Sequence, residues 1–215
     1  MMDSTTERIT MFINSLDTEN SEGLEQIEQE ALEAHIPIIK KETQSFLKVL
    51  LQISEPMNIL EVGCGVGFSS LLMSENTSAS CKITTIENSP KRALVAEDNF
   101  RRMGKEEQIT LIKGDAMEVL EELEGSFDFI FMDAAKAQYI YFFPNVLRLL
   151  KEGGVLLSDN VLQDGDIIES RYAIEKRNRT IHDRMREYLY LLKHHEELTT
   201  SIIPLGDGVA VSVRK

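Results

Sequence analysis

The spacing of hydrophobic residues changes near residue 58. Before that point, apolar residues recur every three or four positions, which is the period of a helix packed on one face. Such positions occur on both sides of Pro37, at Ile9, Phe12, Ile13 and Leu16 and again at Phe46, Leu47, Leu50 and Leu51. Nothing in residues 1–53 resembles a strand, so this part of the chain is predicted to be helical.

From residue 58 onward, short apolar runs alternate with amphipathic stretches, which is typical of a parallel sheet covered by helices on both faces. Five runs are predicted as strands, namely Asn58–Val62, Lys82–Glu87, 109–112, Phe127–Met132 and 155–158. Helices are predicted near 69–73, 90–103, 116–123, 139–150 and, as one long polar helix, 171–195. Residues 198–204 and 209–213 are expected to form a closing hairpin. The prediction is a single α/β domain over residues 1–215, with N-terminal helices (1–53) and an α/β core (58–215).

The composition fits a globular chain without a membrane segment. The chain has 215 residues, 42 % of them hydrophobic and 27 % charged, which suffices for one core. Its polar N-terminus lacks the apolar run of a signal peptide, and no stretch approaches the roughly 20 apolar residues of a membrane span. Two cysteines are too few for a disulfide framework or a zinc site. We therefore expect a cytoplasmic protein with no membrane partner.

The charge of the chain is segregated. A net charge of −13 argues against a broad nucleic-acid-binding surface, because phosphate contacts need clustered Lys and Arg. No Lys or Arg occurs between Arg8 and Lys40, whereas residues 171–186 hold six basic and two acidic residues, a local charge of 6 − 2 = +4. The charge of the whole chain is therefore compatible with a small basic surface that binds nucleic acid at residues 171–186.

The first predicted strand ends in a glycine-rich turn, residues 61–67, with the sequence EVGCGVG. Such turns let the backbone approach a bound cofactor closely. A dinucleotide fingerprint would need its third glycine at position 68, which is Phe68 here. The turn instead resembles the E-x-G-x-G-x-G motif of class I S-adenosylmethionine-dependent methyltransferases. The resemblance implies a Rossmann-like fold with a seven-stranded, mostly parallel sheet that contains one antiparallel strand.

Polar residues at consecutive strand ends are candidates for holding that cofactor. Glu87 could accept hydrogen bonds from two ribose hydroxyls, as it could for NAD, or be a solvated acid. Ser69 could bind the methionyl carboxylate or cap a helix, and Asp115 could face the adenine ring or be a turn residue. Their occurrence at consecutive strand ends favours a binding site.

Hard ligands follow the fourth and fifth predicted strands. Asp133 comes directly after one strand, and Asp159 and Asn160 come directly after the next. Because the carboxyl ends of parallel strands face the same crevice, we expect these side chains to converge. Two carboxylates and an amide oxygen suit Mg²⁺, and Mn²⁺ as well. The alternative is that these acids are helix-terminal charges.

The pattern D-x-x-K-x-x-Y followed by D-N resembles the cation-dependent catechol and caffeoyl-CoA O-methyltransferase family, over nearly the whole chain. The resemblance implies that Lys136 is the general base, acting beside Asp133, although without Asp133 it would be interpreted as a solvated loop lysine. Members are often homodimers, so a homodimer is expected. The predicted cofactor-binding residues are Ile38, Glu61, Gly63, Cys64, Ser69, Glu87, Asp115, Ala116 and Asp133.

The chemistry requires two adjacent substrate oxygens, and both a catechol and a 5-hydroxyuridine supply them. The stretch that contains Arg171, Lys176, Arg177 and Arg179 is similar to a segment of bacterial tRNA 5-hydroxyuridine methyltransferases. These residues are therefore predicted to contact tRNA at the wobble uridine, giving 5-methoxyuridine. A solvated helix face is the alternative interpretation. A methyltransferase of small catechols or caffeoyl-CoA-like substrates, and a non-catalytic nucleotide-binding module, are kept as alternative functions.

Overall fold

The structure, a computed structural model, describes residues 4–215, so the first three residues of the predicted N-terminal helical region lie outside it. Three helices come first: α1 (Ser4–Asn14), α2 (Glu22–Glu33) and α3 (Lys41–Ser54). Strands and helices then alternate: β1 (Asn58–Val62), α4 (Phe68–Glu75), β2 (Lys82–Glu87), α5 (Pro90–Arg102), β3 (Ile109–Lys113), α6 (Ala116–Glu122), β4 (Phe127–Met132), α7 (Tyr139–Leu149), β5 (Leu150–Ser158), α8 (Arg179–His194), β6 (Leu198–Ile203) and β7 (Val209–Arg214).

The seven strands form one sheet in the order β3-β2-β1-β4-β5-β7-β6. Strands β1 to β5 pair in parallel, whereas β7 is antiparallel to both β5 and β6. The order reverses at β1, where β2 lies on one side and β4 on the other, which is where doubly wound sheets bind ligands. The predicted fold class is confirmed, including the single antiparallel strand and the additional N-terminal helices.

The core lies on both faces of the sheet because successive side chains of a strand point in opposite directions. In β1, Ile59 belongs to the cluster beneath α2, α3 and α4, whereas Leu60 belongs to the cluster beneath α6, α7 and α8. In β4, Phe131 and Met132 divide in the same way. All four are fully buried, and each such side chain stabilises the fold by roughly 1.5–3 kcal/mol. The two layers fix the strands and therefore the positions of their ends.

Two predicted boundaries were wrong. The long polar helix begins at Arg179, not near 171, because the buried face with helical spacing starts only at His182 and continues through Met185. Residues 171–178 instead form turns that end in a short 3-10 helix, Lys176–Asn178. Strand β5 begins at Leu150 and not near 155, since Gly153 and Gly154 lie within the strand, where the pairing with β4 shifts register. Within residues 4–215, no helix has both the length and the apolar character needed to cross a bilayer.

Candidate active site

The carboxyl ends of β4 and β5 bring two acidic side chains together. Met132 and Ser158 are register partners in neighbouring strands, so Asp133 and Asp159, the next residues, leave the sheet side by side. The Asp133 N–H donates to the Val62 carbonyl (3.0 Å), and the Asp159 N–H donates to the Met132 carbonyl (2.9 Å). Both acids therefore start from backbone that is fixed by the sheet.

A cavity of about 720 Å³ extends along this edge and over the glycine-rich turn. Its volume is within the range of pockets for cofactors and small ligands. It is lined by eleven of the residues predicted for cofactor, metal or proton transfer: Ile38, Gly63, Cys64, Ser69, Glu87, Asp115, Ala116, Asp133, Lys136, Asp159 and Asn160. Of that predicted set, Glu61 alone lies outside the lining. The cofactor and metal residues thus share one space.

The glycine-rich turn is held close to the strands. Gly63 has φ +102°, and a Cβ there would lie 2.1 Å from the Asp133 carbonyl oxygen, so no side chain fits. The Glu87 carboxylate accepts hydrogen bonds from the N–H groups of Gly65 (2.7 Å) and Ser89 (2.8 Å). Each carboxylate oxygen can accept a further hydrogen bond, so Glu87 can still accept hydrogen bonds from hydroxyl groups of a ligand in the cavity. This fits the ribose contact predicted for it.

Two other predicted cofactor residues also have structural roles. Asp115 is the N-cap of α6, and its Oδ1 accepts a hydrogen bond from the Met117 N–H (2.8 Å). Asp115 therefore has a local structural role, in line with the alternative given for it, a turn residue, while it also lines the cavity. Burial raises the pKa of the Cys64 thiol well above its usual range, which makes this side chain a space-filling group and not a nucleophile.

Glu61 lies beneath the turn in a network of hydroxyl groups. The hydroxyls of Ser69 and Ser70 each donate to its carboxylate, and Thr85 Oγ1 donates to Glu61 Oε2 (2.5 Å). Burial raises the pKa of Glu61 to about 7, against the opposing effect of these bonds. Because the Ser69 proton is directed to Glu61, its oxygen can only accept from a cavity ligand. The N–H groups of the first turn of α4 are therefore better donors for the predicted carboxylate contact.

The two acids at the ends of β4 and β5 are poorly compensated. Asp159 is 1 % exposed, and its Oδ1 accepts a bond from the Asn160 N–H (2.8 Å). Burial, followed by the charge of Asp133, raises the pKa of Asp159 to about 7. Burial also raises the pKa of Asp133, with the Lys136 ammonium acting in the opposite direction. A cation between the carboxylates would relieve this repulsion.

The donor set fits a divalent cation with oxygen ligands. In the described chain, no group of three or more His, Cys, Asp or Glu side chains is arranged for a metal, so a third protein ligand would be of another residue type. Asn160 is the candidate for it, because the residue lines the cavity beside the acids, in a left-handed conformation with φ +55°. Two carboxylates with an amide oxygen suit Mg²⁺ or Mn²⁺.

Lys136 belongs to a short 3-10 turn, Lys136–Gln138, that follows the end of β4. It is half-buried, lines the cavity and interacts electrostatically with both Asp133 and Asp159. Tyr139, the next helical residue, is fully buried, and its hydroxyl lies 3.1 Å from the Met132 carbonyl and 3.2 Å from that of Asp159. Tyr139 thus ties the two strand ends together below the site.

The residues predicted to contact RNA lie outside the cavity lining. Arg171 pairs with Asp183 (2.7 Å) and Arg177 pairs with Glu175 (2.7 Å), both at exposed positions. Lys176 is also exposed. Exposed ion pairs contribute roughly 0–1 kcal/mol each, so these arginines could exchange their partners for phosphates at low cost.

Arg179 differs from the other predicted RNA contacts. It is half-buried, and its Nε donates to the Ile174 carbonyl (3.1 Å), which holds the turn before α8. Between the basic residues, Tyr172 is 83 % exposed. An exposed aromatic ring among arginines is a surface on which a base can stack.

Lys40 and Asp207 are charged residues of the cavity lining that were not among the predicted site residues. They form an ion pair with each other. Asp207 stands between two glycines of the predicted hairpin turn, for which no site role was predicted. An acid in a short turn gives no local signal of a partner that is 167 positions away.

The chain belongs to the O-methyltransferase family, whose model matches residues 14–215. Among curated relatives, the catechol O-methyltransferase of Niastella koreensis is 37 % identical over 128 residues, which are 58 % of this chain and 58 % of that protein. The predicted class, S-adenosylmethionine-dependent O-methyltransferase, is confirmed at the level of the family.

Solved structures with bound S-adenosylhomocysteine (SAH) share the fold. The Podospora anserina methyltransferase PaMTH1 has a TM-score of 0.88 and 25 % identity, covering 100 % of this chain and 97 % of its own. An O-methyltransferase from Bacillus cereus has a TM-score of 0.84 and 25 % identity, covering 97 % of each chain. These relatives support S-adenosylmethionine as the methyl donor.

Proposed function

We propose that this protein transfers a methyl group from S-adenosylmethionine to a hydroxyl beside a second oxygen, with a divalent cation held by Asp133, Asp159 and Asn160. We further propose 5-hydroxyuridine at the wobble position of tRNA as the substrate and 5-methoxyuridine as the product. The observation that carries the proposal is the pair of mutually repelling carboxylates, Asp159 buried and Asp133 half-buried, in the cavity that also contains the glycine-rich turn.

The cofactor residues would hold the methyl donor beside the metal residues. Glu87 would accept the ribose hydroxyls, and the first turn of α4 would bind the methionyl carboxylate. Ser69, which accepts hydrogen bonds on its cavity side, would contact the ammonium group. When bound, a divalent cation would lower the pKa of the substrate hydroxyl and orient both adjacent oxygens.

Proton removal is assigned to Lys136. The side chain lines the same cavity as the two acids and carries the positive charge that acts on both. In its neutral form it can take the hydroxyl proton, leaving an oxyanion that attacks the sulfonium methyl. The S–CH₃ bond breaks as the O–CH₃ bond forms, and SAH leaves. The protein otherwise contributes alignment and exclusion of water.

An exposed basic patch before α8 supports RNA as the substrate. Arg171, Lys176 and Arg177 are exposed in the turns that precede α8, and Tyr172 lies among them with its ring exposed. This patch combines phosphate-binding charge with a stacking surface, within a chain of net charge −13. A small basic contact on an acidic protein suits one anticodon loop better than extended RNA. A small catechol remains the second candidate, because a catechol O-methyltransferase is among the relatives.

In the experiment, the protein is incubated with labelled S-adenosylmethionine, Mg²⁺ and tRNA that carries unmethylated 5-hydroxyuridine. A separate incubation contains a catechol in place of the tRNA. Label in the tRNA, recovered as 5-methoxyuridine, is the expected result. Label in the catechol alone would overturn the RNA substrate and leave the O-methyltransferase chemistry intact. Absence of label in both would contradict the proposed chemistry for these acceptors.

Charge reversals test the surface separately. Lys176→Glu with Arg177→Glu is expected to weaken tRNA methylation at least tenfold and to leave any catechol methylation unchanged. Arg179 is not altered, because it holds the turn. The matched control is Arg101→Glu with Lys105→Glu, at the end of α5 that faces away from the site. Equal losses for both pairs, or for both substrates, would count against RNA contact at this patch.

A further inference from the structure

The Gly-Asp-Gly turn between β6 and β7 is packed against the chain that follows β5. The Leu162 N–H donates to the Asp207 carbonyl (2.9 Å), and the Val161 N–H donates to the Gly208 carbonyl (2.9 Å). Gly208 has φ +85°, and a Cβ there would lie 2.2 Å from Leu162 Cγ. Only glycine allows this approach, which brings Asp207 beside Asn160.

The Asp207 carboxylate joins two different parts of the site. Asn160 Nδ2 donates to Asp207 Oδ2 (3.2 Å), and the Lys40 ammonium donates to Asp207 Oδ1. A carboxylate accepts hydrogen bonds and donates none, so the NH₂ group of Asn160 has to face it. The amide oxygen of Asn160 then remains available to the cavity. This orientation follows from the chemistry of the pair as well as from its geometry.

Lys40 extends the same contact to the wall of the cofactor cavity. It ends the segment 37–40, all of which lines the cavity and which precedes α3. Its partner Asp207 is largely buried, with a side chain 18 % exposed against 42 % for Lys40. The ion pair therefore connects the segment that precedes α3 to the turn between β6 and β7, which in turn contacts Asn160.

We propose that Asp207 is a positioning residue with two effects: it orients the Asn160 amide oxygen toward a bound cation, and it holds segment 37–40 over the cofactor. This inference rests on the proposed function, since the cation is part of it. The first effect depends on hydrogen-bond acceptance by residue 207, and the second depends on its charge. Variants can therefore separate them.

The test measures Mn²⁺ affinity of the cofactor-free protein by electron paramagnetic resonance and SAH affinity by calorimetry. Asp207→Ala is expected to weaken Mn²⁺ binding by about 10–100-fold, the usual cost of losing a residue that orients a metal ligand. Asp207→Asn, which can still accept from Asn160, is expected to restore most of that loss. Lys40→Met is expected to weaken SAH binding severalfold while Mn²⁺ affinity stays within about threefold of wild type or rises.

The control is Lys151→Met, because Lys151 and Asp128 form an ion pair of similar exposure (2.6 Å, 39 % and 26 %) at the opposite edge of the sheet. It should change neither affinity. Equal Mn²⁺ binding by wild type and Asp207→Ala overturns the inference alone. Equal losses in Asp207→Ala and Asp207→Asn also overturn it, since charge would then explain the effect. Absence of Mn²⁺ binding by wild type overturns the proposed function and this inference together.

Discussion

Glu61 with its hydroxyl partners and the pair of Asp133 and Asp159 lie near the same edge of the sheet, and these two groups are compensated very differently. The pKa of Glu61 and that of Asp159 are both raised to about 7, mainly by burial. Glu61 receives hydrogen bonds from three hydroxyls, whereas Asp159 faces the charge of Asp133. A buried acid with its own donors holds the fold together, whereas a buried acid beside another acid requires something from outside the chain.

The difference assigns separate roles to the two groups. The Glu61 network fixes the first turn of α4 to β2 and is complete within the protein. The pair of Asp133 and Asp159 costs stability in the cation-free protein, and under the proposed function a bound cation would offset that cost. Substitutions at Glu61 should therefore alter the stability of the fold, and substitutions at Asp133 or Asp159 should alter cation binding.

Asp159→Asn is expected to have the largest effect. Methyl transfer should fall by at least about 10²–10³-fold, since the charge that holds the cation is lost. In chelator, however, the melting temperature should rise by a few degrees, because burial and repulsion of one carboxylate are relieved, equivalent to roughly 1 kcal/mol. The control Asp128→Asn removes an acid that accepts from the N–H groups of Met57 and Asn58, and it should melt lower. A lower melting temperature for Asp159→Asn would remove the contrast between the groups.

Glu61→Ala should have the next largest effect, on stability. Three buried hydroxyls would lose their acceptor, and the expected loss in free energy of unfolding is about 3 kcal/mol, measured by urea denaturation. Mg²⁺ should not restore it. Glu97→Ala, which removes an exposed partner of Lys113, is the control and should change stability by less than about 0.5 kcal/mol. A Glu61→Ala protein as stable as this control would show that the network is not structural.

The pH dependence of stability should show a smaller effect. Because burial raises the folded pKa of Glu61 from 4.5 to about 7, the unfolded chain loses this proton first as pH rises. The contribution of Glu61 to stability is therefore fully present below pH 4.5 and is lost as pH rises toward 7. In Glu61→Gln this component is absent, so melting temperatures measured in chelator should fall less steeply over that interval than in wild type. Parallel curves would contradict the raised pKa.

The fold, and the edge of the sheet at which the site lies, were predictable from the sequence. Both follow from the local pattern of hydrophobic residues and from the order of the strands. Buried runs such as Phe127–Met132 identify parallel strands, and parallel strands bring their following residues to one edge. Asp133 and Asp159 could therefore be placed together without coordinates. The glycine-rich turn was recognisable because Gly63 occupies a position that excludes a side chain.

The remaining features depend on contacts between distant parts of the chain. The Ser69 hydroxyl is directed to Glu61, which no spacing rule specifies. The partnership of Asn160 and Asp207 joins a strand end to a hairpin turn 47 positions later. The basic stretch was predicted to be the start of a long polar helix, but Ile174 is buried within turns, and Arg179 holds them by its bond to the Ile174 carbonyl.

The central claim is that Asp133 and Asp159 hold a divalent cation. The most direct test is calorimetric titration of Mn²⁺ into the chelator-treated wild type and into Asp133→Asn with Asp159→Asn, with folding of both proteins verified by circular dichroism. We predict one Mn²⁺ bound per wild-type chain and loss of that binding in the double variant. Binding of equal strength in the two proteins, or no binding by the folded wild type, would contradict the claim.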